Sequence, residues 1–531
     1  MEYQPIVGLE IHVELKTKTK MFCDCPNDPN ERHPNVNICP ICMGHPGTLP
    51  VINKEAVKKT IKTGLALNCQ ISEYSKFDRK NYFYPDLPKG YQISQLYMPF
   101  CKNGYLDIRE NSLSNSCKFA RVRIREVHLE EDVGRLIHEK DYSLVDFNRA
   151  GIPLMELVTE PDLNSAKEAR KFAEELQLIL RYLNVSGADM EKGEMRVEVN
   201  ISLAQSSKRK AQKLGTKVEI KNLNSFRAVE KSIDYEIKRQ TKILSTFAKG
   251  YGGPAEALRE GGNSGKKVLQ ETRGWDAPKG ITVSQREKEE AYDYRYFPEP
   301  DLPPLHLTSE LINEIRSEIP ELPQQKRERF KREYELDEKG VEVFVQNKNF
   351  GEYFEKVVSE LPPRLPQQDI KKLIKLASNY LITDLQGLLK GSSVIGEDFL
   401  ITPENFAEFI TLITERGEQG EPREGEDERS SLTYQGKISS KIAKIVLEEM
   451  FKTGADPSHI IEEKGLTQIT DGAEIEKIIK EVIKENPQPV KDFQEGKEAA
   501  LQFLVGKVMS KTGGKANPQI VRDILSQTLA P

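Results

Sequence analysis

Three segments of the chain alternate between apolar and polar side chains. The first, residues 7–15, reads Val-Gly-Leu-Glu-Ile-His-Val-Glu-Leu, and residues 195–203 and 216–222 repeat the pattern with acidic and basic groups opposite the apolar positions. Because successive side chains of a β-strand point to opposite faces, this period of two predicts strands with one core face and one charged face. Strands with such a mixed face indicate a site that binds both a cation and an anionic substrate.

Longer stretches have the spacing of helices. Helices are predicted over residues 165–182 and 226–244, and short β-rich segments between Pro, Gly and Asn turns fill most of the remaining sequence up to about residue 300. After the proline-rich residues 297–304, charged sequence with Leu and Ile at helical spacing takes over. The sequence therefore predicts an α+β fold with a largely antiparallel sheet, followed by helices.

A chain of this length is expected to hold roughly three or four domains, and the changes in sequence character predict three. They are a β-rich antiparallel domain over residues 1–300, an all-helical domain over 301–430 and a small helical tail domain over 431–531. Residues 250–267 and 416–431 lack apolar periodicity and are predicted to be a mobile loop and a flexible acidic linker.

Two apolar helical faces are predicted in the tail. They comprise Ile438, Ile442, Ala443, Val446, Leu447 and Met450, and Ala500, Phe503, Leu504 and Val508.

Composition narrows the class of protein. The 531 residues are 37% hydrophobic and 30% charged, with a formal net charge of −5. No apolar run approaches the roughly 18 residues that a membrane helix needs, and no leader pattern precedes the first strand, so a cytoplasmic protein without a membrane partner is expected. The acidic balance argues against a generic nucleic-acid coat protein but leaves room for an enzyme that acts on RNA.

Four of the seven cysteines form two close pairs, Cys23 with Cys25 and Cys39 with Cys42. Two such pairs can supply the four thiolates of a tetrahedral structural zinc site, with iron as the main alternative metal. Because sulfur would fill all four positions, this metal would stabilise a loop and would take no part in chemistry.

The charged strand faces offer ligands for a second kind of metal. Magnesium prefers oxygen ligands and often keeps several waters and substrate phosphates in its shell. Residues 125–132 add a dense run of charge, although such a run is equally typical of a solvated strand edge. The candidates from the strand faces and this run are Glu10, His12, Glu130, Glu131, Glu198 and Glu219.

Basic groups on the same strands would meet phosphate oxygens. We predict that Lys217 stabilises charge during phosphoryl transfer and that Arg196 and Lys221 bind the nucleotide. Neither a Gly-x-Ser-x-Gly motif nor a Ser-x-x-Lys motif in a suitable context is present to indicate an acyl-enzyme.

Eight motifs, in order, resemble one family closely: the B subunits of the glutamyl-tRNA(Gln)/aspartyl-tRNA(Asn) amidotransferases. The resemblance covers essentially the whole chain. The motifs are residues 8–15, 75–86, 128–134, 146–156, 221–226, 293–304, 503–509 and 514–518.

The resemblance implies a two-step, ATP-dependent transamidation. The side-chain carboxylate of glutamate on tRNA(Gln), or of aspartate on tRNA(Asn), is phosphorylated with ATP and Mg²⁺, and ammonia then displaces the phosphate. The implied partners are a glutaminase (amidase) subunit and a small third subunit, which complete a heterotrimer, together with the misacylated tRNA. The implied fold is a β-rich cradle domain, a helical domain and a tail domain that contacts the tRNA.

Carried over to this sequence, the resemblance places the activation site at Glu10, His12 and one or both of Glu130 and Glu131. The predicted catalytic residues are Glu10, His12, Glu130, Glu131 and Lys217. The predicted magnesium ligands are Glu10, His12, Glu131 and Glu219. The four cysteines match a zinc site that only some members of the family keep.

Two other functions are compatible with the sequence. The chain could be a non-catalytic tRNA-binding scaffold, in which the carboxylates only hold structure, or a free-standing ligase that amidates a small acid. A helical tail is unnecessary for the second, which is therefore the weaker alternative. The choice between glutamyl-tRNA and aspartyl-tRNA depends on the tRNA and on the misacylating synthetase.

Overall fold

The structure, a computed structural model, describes most of the chain. The described residues are 3–28, 30–109, 119–205, 215–248, 268–287, 293–363, 365–394, 399–414, 438, 440–466 and 472–529. The predicted loop over residues 250–267 and the predicted linker over 416–431 lie outside them. The chain divides into two compact units, Met1–Pro323 and Gln324–Pro531. The predicted division into three domains stays a prediction.

The first unit carries the strands. They are β1 (Tyr3–Glu14), β2 (Gln70–Ile71), β3 (Tyr74–Ser75), β4 (Asp78–Asn81), β5 (Tyr91–Ser94), β6 (Cys101–Arg109), β7 (Phe119–Glu131), β8 (Arg135–His138), β9 (Ser143–Asp146), β10 (Pro153–Thr159), β11 (Met195–Gln205), β12 (Val218–Leu223), β13 (Glu271–Asp276), β14 (Ile281–Glu287), β15 (Phe297–Pro298) and β16 (Leu305–His306). The three alternating segments are β1, β11 and β12, as predicted.

One sheet of nine strands dominates this unit, in the order β14-β13-β12-β11-β1-β10-β7-β6-β2. Its pairs are antiparallel except for β12 and β13, which run parallel. The helix that follows β12 makes this arrangement possible, because parallel neighbours need a crossover connection. The described smaller sheets are β15-β4-β5, β16-β3 and the hairpin β8-β9.

Helices cover one face of the large sheet. They are α1 (Lys54–Ala66), α2 (Ala166–Tyr182) and α3 (Phe226–Ala248), followed by α4 (Ser309–Ser317). The helix predicted over residues 165–182 is confirmed as α2, whose N-cap Ser165 accepts a hydrogen bond from the backbone of Glu168. The second predicted helix is confirmed as α3 and runs four residues further than expected.

The apolar strand positions and these helices form one core. Leu9, Ile11 and Val13 of β1 pack in it with Phe172 of α2 and Val229 of α3, and all five side chains are at most 1% exposed. Burial of these side chains removes a large apolar area from water. It fixes the register of β1, because a slip of one residue would turn the acidic face inward. The opposite face of the sheet is left for charged groups.

The described regular elements of the second unit are all helical, which confirms the α+β class with a helical C-terminal region. They are α5 (Pro323–Tyr334), α6 (Glu338–Gln346), α7 (Lys348–Ser359), α8 (Gln367–Tyr380), a π-helical turn (Leu381–Leu385), α9 (Gln386–Leu389), α10 (Pro403–Thr414), α11 (Ser440–Thr453), α12 (Pro457–Glu463), α13 (Gly472–Glu485), α14 (Pro487–Gln494), α15 (Glu498–Lys511) and α16 (Pro518–Leu529).

The two predicted helical faces have different outcomes. The six residues of the first, which begins at Ile438, are all buried. In the second, Leu504 and Val508 are buried with α13 and α16, but Phe503 is 48% exposed. The prediction is therefore wrong for Phe503, which lies on the outer side of α15. None of the described helices is long and apolar enough to span a bilayer.

Candidate functional site

The register of the large sheet aligns its polar side chains. On β1, Glu10 lies opposite Glu198 of β11, while His12 lies opposite Glu156 of β10. Glu156 in turn lies opposite His128 of β7. Residues that are directly opposite in antiparallel strands project to the same face. The charged face of the sheet therefore gathers acidic and imidazole groups from four neighbouring strands.

His12, Glu130 and Glu156 form one group, called here the histidine group. Each offers a ligand atom within 4.8 Å of the others. His12 Nε2 lies 3.5 Å from a carboxylate oxygen of Glu130 and 3.5 Å from one of Glu156. His128 Nε2 lies 3.2 Å from the same oxygen of Glu156. Two carboxylates and two imidazoles thus share one largely buried space.

The charges in the histidine group shift one another's pKa values. Burial would lower the pKa of His12, but Glu156 and Glu130 outweigh burial and raise it to about 9. Burial and the nearby charge of Glu156 raise the pKa of Glu130. Burial works against the charged form of Glu156 too, yet His128 and His12 hold the pKa of this carboxyl below its usual range. The group therefore favours a positive charge at the position of the His12 ring.

Glu10, Glu198 and Glu219 form a second group, called here the acidic group, whose carboxylate oxygens also lie within 4.8 Å of one another. Asn200 Nδ2 donates a 2.7 Å hydrogen bond to Glu10. Lys221 Nζ lies 2.9 Å from Glu198 and 3.4 Å from Glu219. Two of the three carboxylates therefore pair with one ammonium group, and Glu10 is held by Asn200.

The acidic group fits a divalent cation. Burial, and then the charges of Glu156 and Glu198, raise the pKa of Glu10, which shows that negative charge is crowded here. Within the described part of the chain, the buried atoms His12 Nδ1 and Asn200 Oδ1 have no hydrogen-bond partner. Buried polar atoms are normally satisfied, so these two are available to a ligand, a water or an ion. Carboxylate and amide oxygens are the donors that Mg²⁺ prefers.

A cleft of about 1000 Å³ opens beside the acidic group. Arg196, Glu198 and Lys221 line it, together with Asp132 and Arg149. Arg196 donates two hydrogen bonds to Asp132, of 3.0 and 2.9 Å, and Arg149 pairs with both Glu14 and Asp132. The cleft is large enough for a nucleotide or the end of an RNA strand, and its guanidinium groups are held in fixed positions.

The structure brings most of the predicted site residues together. Glu10, His12, Glu130 and Glu219 fall in the two groups, and Arg196 and Lys221 line the large cleft. Lys217 lies just before β12 and is exposed, in a smaller cleft of about 230 Å³ that also contains Glu10.

Glu131 is placed elsewhere. It projects to the opposite side of β7 from Glu130, where it pairs with Lys89 and accepts a 2.9 Å hydrogen bond from the backbone of Ile93. It lines a small cavity next to the cysteines. The structure therefore does not join Glu131 to either carboxylate group, because neighbouring strand positions alternate between faces.

The four predicted cysteine ligands converge. Their sulfur atoms lie within 4.8 Å of one another; Cys23, Cys25 and Cys42 are buried and Cys39 is half-buried. The backbone of Cys39 donates a 3.2 Å hydrogen bond to Cys42 Sγ. A hydrogen bond with Cys23, together with weaker contributions that include the charge of Lys20, lowers the pKa of the Cys42 thiol to about 5. The cluster fits a tetrahedral thiolate-bound metal.

Sequence reasoning missed several members of the site. Glu156 is not among the predicted site residues, although it is the only charged residue in the apolar run of β10, which is a usable signal. His128 and Asp132 lie in the predicted charged run 125–132 but are not among the predicted site residues, and Arg149 is not predicted. Glu198 is a candidate from its strand face but not one of the predicted magnesium ligands. Their roles depend on strand order, which a single sequence does not specify.

A sheet whose charged face gathers two groups of potential cation ligands beside a cleft with arginine and lysine side chains has the side-chain types that metal-dependent enzymes use on phosphate-bearing substrates. Comparison with known proteins specifies the class further. The model of the GatB/GatE catalytic domain matches residues 5–313, and that of the GatB domain matches residues 428–529.

Curated relatives match over the full length. The relative from Persephonella marina is 46% identical over 529 residues, which covers 100% of both chains. Those from Thermotoga maritima and Caldicellulosiruptor bescii are 45% and 46% identical, and each match covers 100% of this chain and 99% of the relative. All three are named as the B subunit of an aspartyl/glutamyl-tRNA(Asn/Gln) amidotransferase. The chain belongs to the GatB family, that of the B subunits of the tRNA-dependent amidotransferases.

Proposed function

We propose that this chain carries out the ATP-dependent step of tRNA amidation. In this proposal it phosphorylates the side-chain carboxylate of glutamate on tRNA(Gln), or of aspartate on tRNA(Asn), and lets ammonia displace the phosphate. The observation that carries the proposal is the pair of potential cation-ligand groups on one sheet face, next to a cleft lined by Arg196 and Lys221. Family membership supports it.

The first step forms a bond between a carboxylate oxygen of the aminoacyl group and the γ-phosphorus of ATP, and ADP leaves. In the second, the nitrogen of ammonia attacks the acyl carbon, phosphate leaves with that oxygen, and a proton is released. A carboxylate alone is a poor acyl donor because its leaving group would be oxide. Phosphorylation supplies a competent leaving group, so the site needs to stabilise charge and needs no nucleophile of its own.

The acidic group and the histidine group would hold Mg²⁺ in this proposal. A bound Mg²⁺ would neutralise charge on the phosphates. The carboxylates that favour a proton on His12 would equally favour a divalent cation in its place. Arg196, fixed by Asp132, would orient the nucleotide, and Lys217 would reach substrate from the smaller cleft.

The proposed assembly includes a glutaminase subunit that releases ammonia from glutamine, a small third subunit and the misacylated tRNA. The cytoplasmic location expected from the sequence stays a prediction.

The proposed function can be tested by reconstitution. The chain is mixed with the glutaminase subunit, the small third subunit, Glu-tRNA(Gln), ATP, Mg²⁺ and ammonium chloride, and the amino acid on the tRNA is identified by chromatography. Formation of Gln-tRNA that needs this chain and is lost in Glu10→Gln would support the proposal. Product formation at the wild-type rate by Glu10→Gln, with tRNA binding intact, would favour the scaffold alternative.

Replacement of Arg196 by glutamine is expected to raise KM for ATP about 10-fold, because a guanidinium–phosphate contact contributes about 1.5 kcal/mol or more. The matched control is Arg123→Gln, which also breaks a two-bond pair with an aspartate, Asp162, but at an exposed side chain of β7. Steady-state kinetics with saturating tRNA would measure both. An unchanged KM in the Arg196 variant would remove this residue from the nucleotide site.

The cysteine cluster is proposed to bind a structural zinc. Metal analysis of the purified chain is expected to find about one zinc per chain, and Cys42→Ser is expected to lose most of it, since a structural site needs all four ligands. Cys69→Ala is the control, because Cys69 is buried away from the cluster. Iron in place of zinc would change the identity of the metal but would still support a metal site at the four cysteines. Equal zinc contents in wild type and Cys42→Ser would contradict the proposed metal site.

A further inference from the structure

Lys20 is a lysine whose side chain is completely buried, with 0% of its surface exposed. A buried ammonium group loses its hydration and is rarely tolerated unless a negative partner compensates. Among the described residues, no carboxylate lies within ion-pair distance of Lys20 Nζ. The contacts of this nitrogen are Cys42 Sγ at 3.9 Å and the carbonyl oxygen of Phe147 at 3.3 Å. Of these two contacts, Cys42 Sγ is the one that can carry a negative charge.

Gly151 packs beside both Lys20 and Cys42. A Cβ placed on Gly151 would be in ordinary van der Waals contact with Lys20 Cδ at 3.6 Å and Cys42 Cβ at 3.5 Å, and would lie 3.9 Å from Glu131 Oε2. Gly151 has a φ of +85°, which disfavours any side chain there. The backbone N–H of Lys20 donates to Cys25 O at 2.9 Å, so the residue is fixed at both its backbone and its side chain.

A metal with four thiolate ligands carries excess negative charge. Zn²⁺ bound by four thiolates has a net charge of about −2, and such a charge is costly inside a protein unless cations or N–H donors face the sulfurs. We propose that Lys20 is the charge partner of the metal-bound cysteine cluster and a positioning residue for the loop that the cluster holds. This inference rests on the proposed metal site and adds to it a residue outside the four ligands.

The same lysine links the cluster to the large cleft. Its bond to Phe147 O reaches the segment 145–149, which other hydrogen bonds also tie to the cysteine-bearing loop. Asn35 Oδ1 accepts from Phe147 N at 2.8 Å, and Asn148 Nδ2 donates to His33 O at 2.7 Å. The segment ends at Arg149, which pairs with Glu14 and Asp132 at the cleft. The bound metal, Lys20 and this loop would therefore support Arg149, a guanidinium that lines the large cleft.

The test measures zinc retention in the full chain. Lys20→Met keeps the length of the side chain and removes its charge, and Lys18→Met is the matched control at an exposed position of the same loop. Transfer of zinc to a chromophoric chelator is expected to be at least about 10-fold faster in the Lys20 variant, the scale of loss when an outer partner of a metal site is removed. The Lys18 variant is expected to match wild type.

A second measurement separates charge compensation from simple packing. Zinc binding is expected to raise Tm less in Lys20→Met than in wild type, whereas a packing defect would lower Tm equally with and without zinc. If circular dichroism shows that Lys20→Met is unfolded, zinc release and Tm are measured on Lys20→Gln instead. Zinc release at the wild-type rate from a folded Lys20 variant would overturn the inference. Absence of zinc from the wild-type chain would instead overturn the proposed metal site.

Discussion

Glu10→Gln is expected to lower the rate of Gln-tRNA formation by about 100-fold or more while leaving the chain folded. Glu10 is central to the acidic group, and its pKa is raised by burial and by neighbouring carboxylates. Loss of its charge removes a ligand that would hold the cation against the phosphates, and removal of one such electrostatic group typically costs about 10²–10³ in rate. The measurement is single-turnover kinetics in the reconstituted assembly.

The control for this variant is Glu55→Gln. Glu55 is an exposed carboxylate in the first turn of α1 and pairs with Lys59 over one helical turn, a contact of small energetic value. The Glu55 variant is expected to keep the wild-type rate. If Glu10→Gln also formed Gln-tRNA at the wild-type rate with unchanged dependence on Mg²⁺, Glu10 would have no part in catalysis.

Glu156→Gln is expected to impair both activity and stability. Glu156 is the shared partner of His12 and His128, at 3.5 and 3.2 Å, and its pKa is held low by the two imidazoles despite burial. Removal of one partner from a buried charged group costs about 3–5 kcal/mol. We therefore expect a lower Tm by calorimetry in addition to a loss of activity of about 100-fold.

Glu160→Gln is the matched control, because Glu160 lies just beyond the same strand and pairs with the exposed Arg125. It is expected to change Tm little. Added Mg²⁺ should raise the Tm of wild type more than that of the Glu156 variant if the histidine group binds a cation. Equal Mg²⁺-induced shifts in the two proteins would contradict the assignment of a cation to this group.

Much of the first unit could be predicted from local patterns. The alternation in β1 and β11 has a simple cause, because one face of each strand is buried against helices. The side chains that face the core can therefore be predicted from the sequence. The N-cap of α2 at Ser165 is equally local. The cysteine pairs were predictable for the same reason, because a metal site with ligands two or three residues apart is a short-range feature.

The parts that could not be predicted depend on contacts between distant segments. Glu156 meets His12 only because β10 lies between β1 and β7, and no local pattern specifies that strand order. Glu131 and Glu130 are predicted together from a continuous charged run, yet adjacent strand positions face opposite sides. Phe503 has helical spacing with buried neighbours but lies on the exposed flank of its helix. In each case tertiary arrangement decides what the residue contacts.

The most direct measurement of the proposed chemistry follows an oxygen atom. Glu-tRNA(Gln) labelled with ¹⁸O in the side-chain carboxylate would be incubated with the assembled complex, ATP, Mg²⁺ and ammonium chloride, and the released phosphate analysed by mass spectrometry. We expect one ¹⁸O per phosphate for each Gln-tRNA formed, with the transfer lost in Glu10→Gln. Gln-tRNA formation with unlabelled phosphate would contradict carboxylate phosphorylation, because the carboxylate oxygen would then never have been bonded to phosphorus.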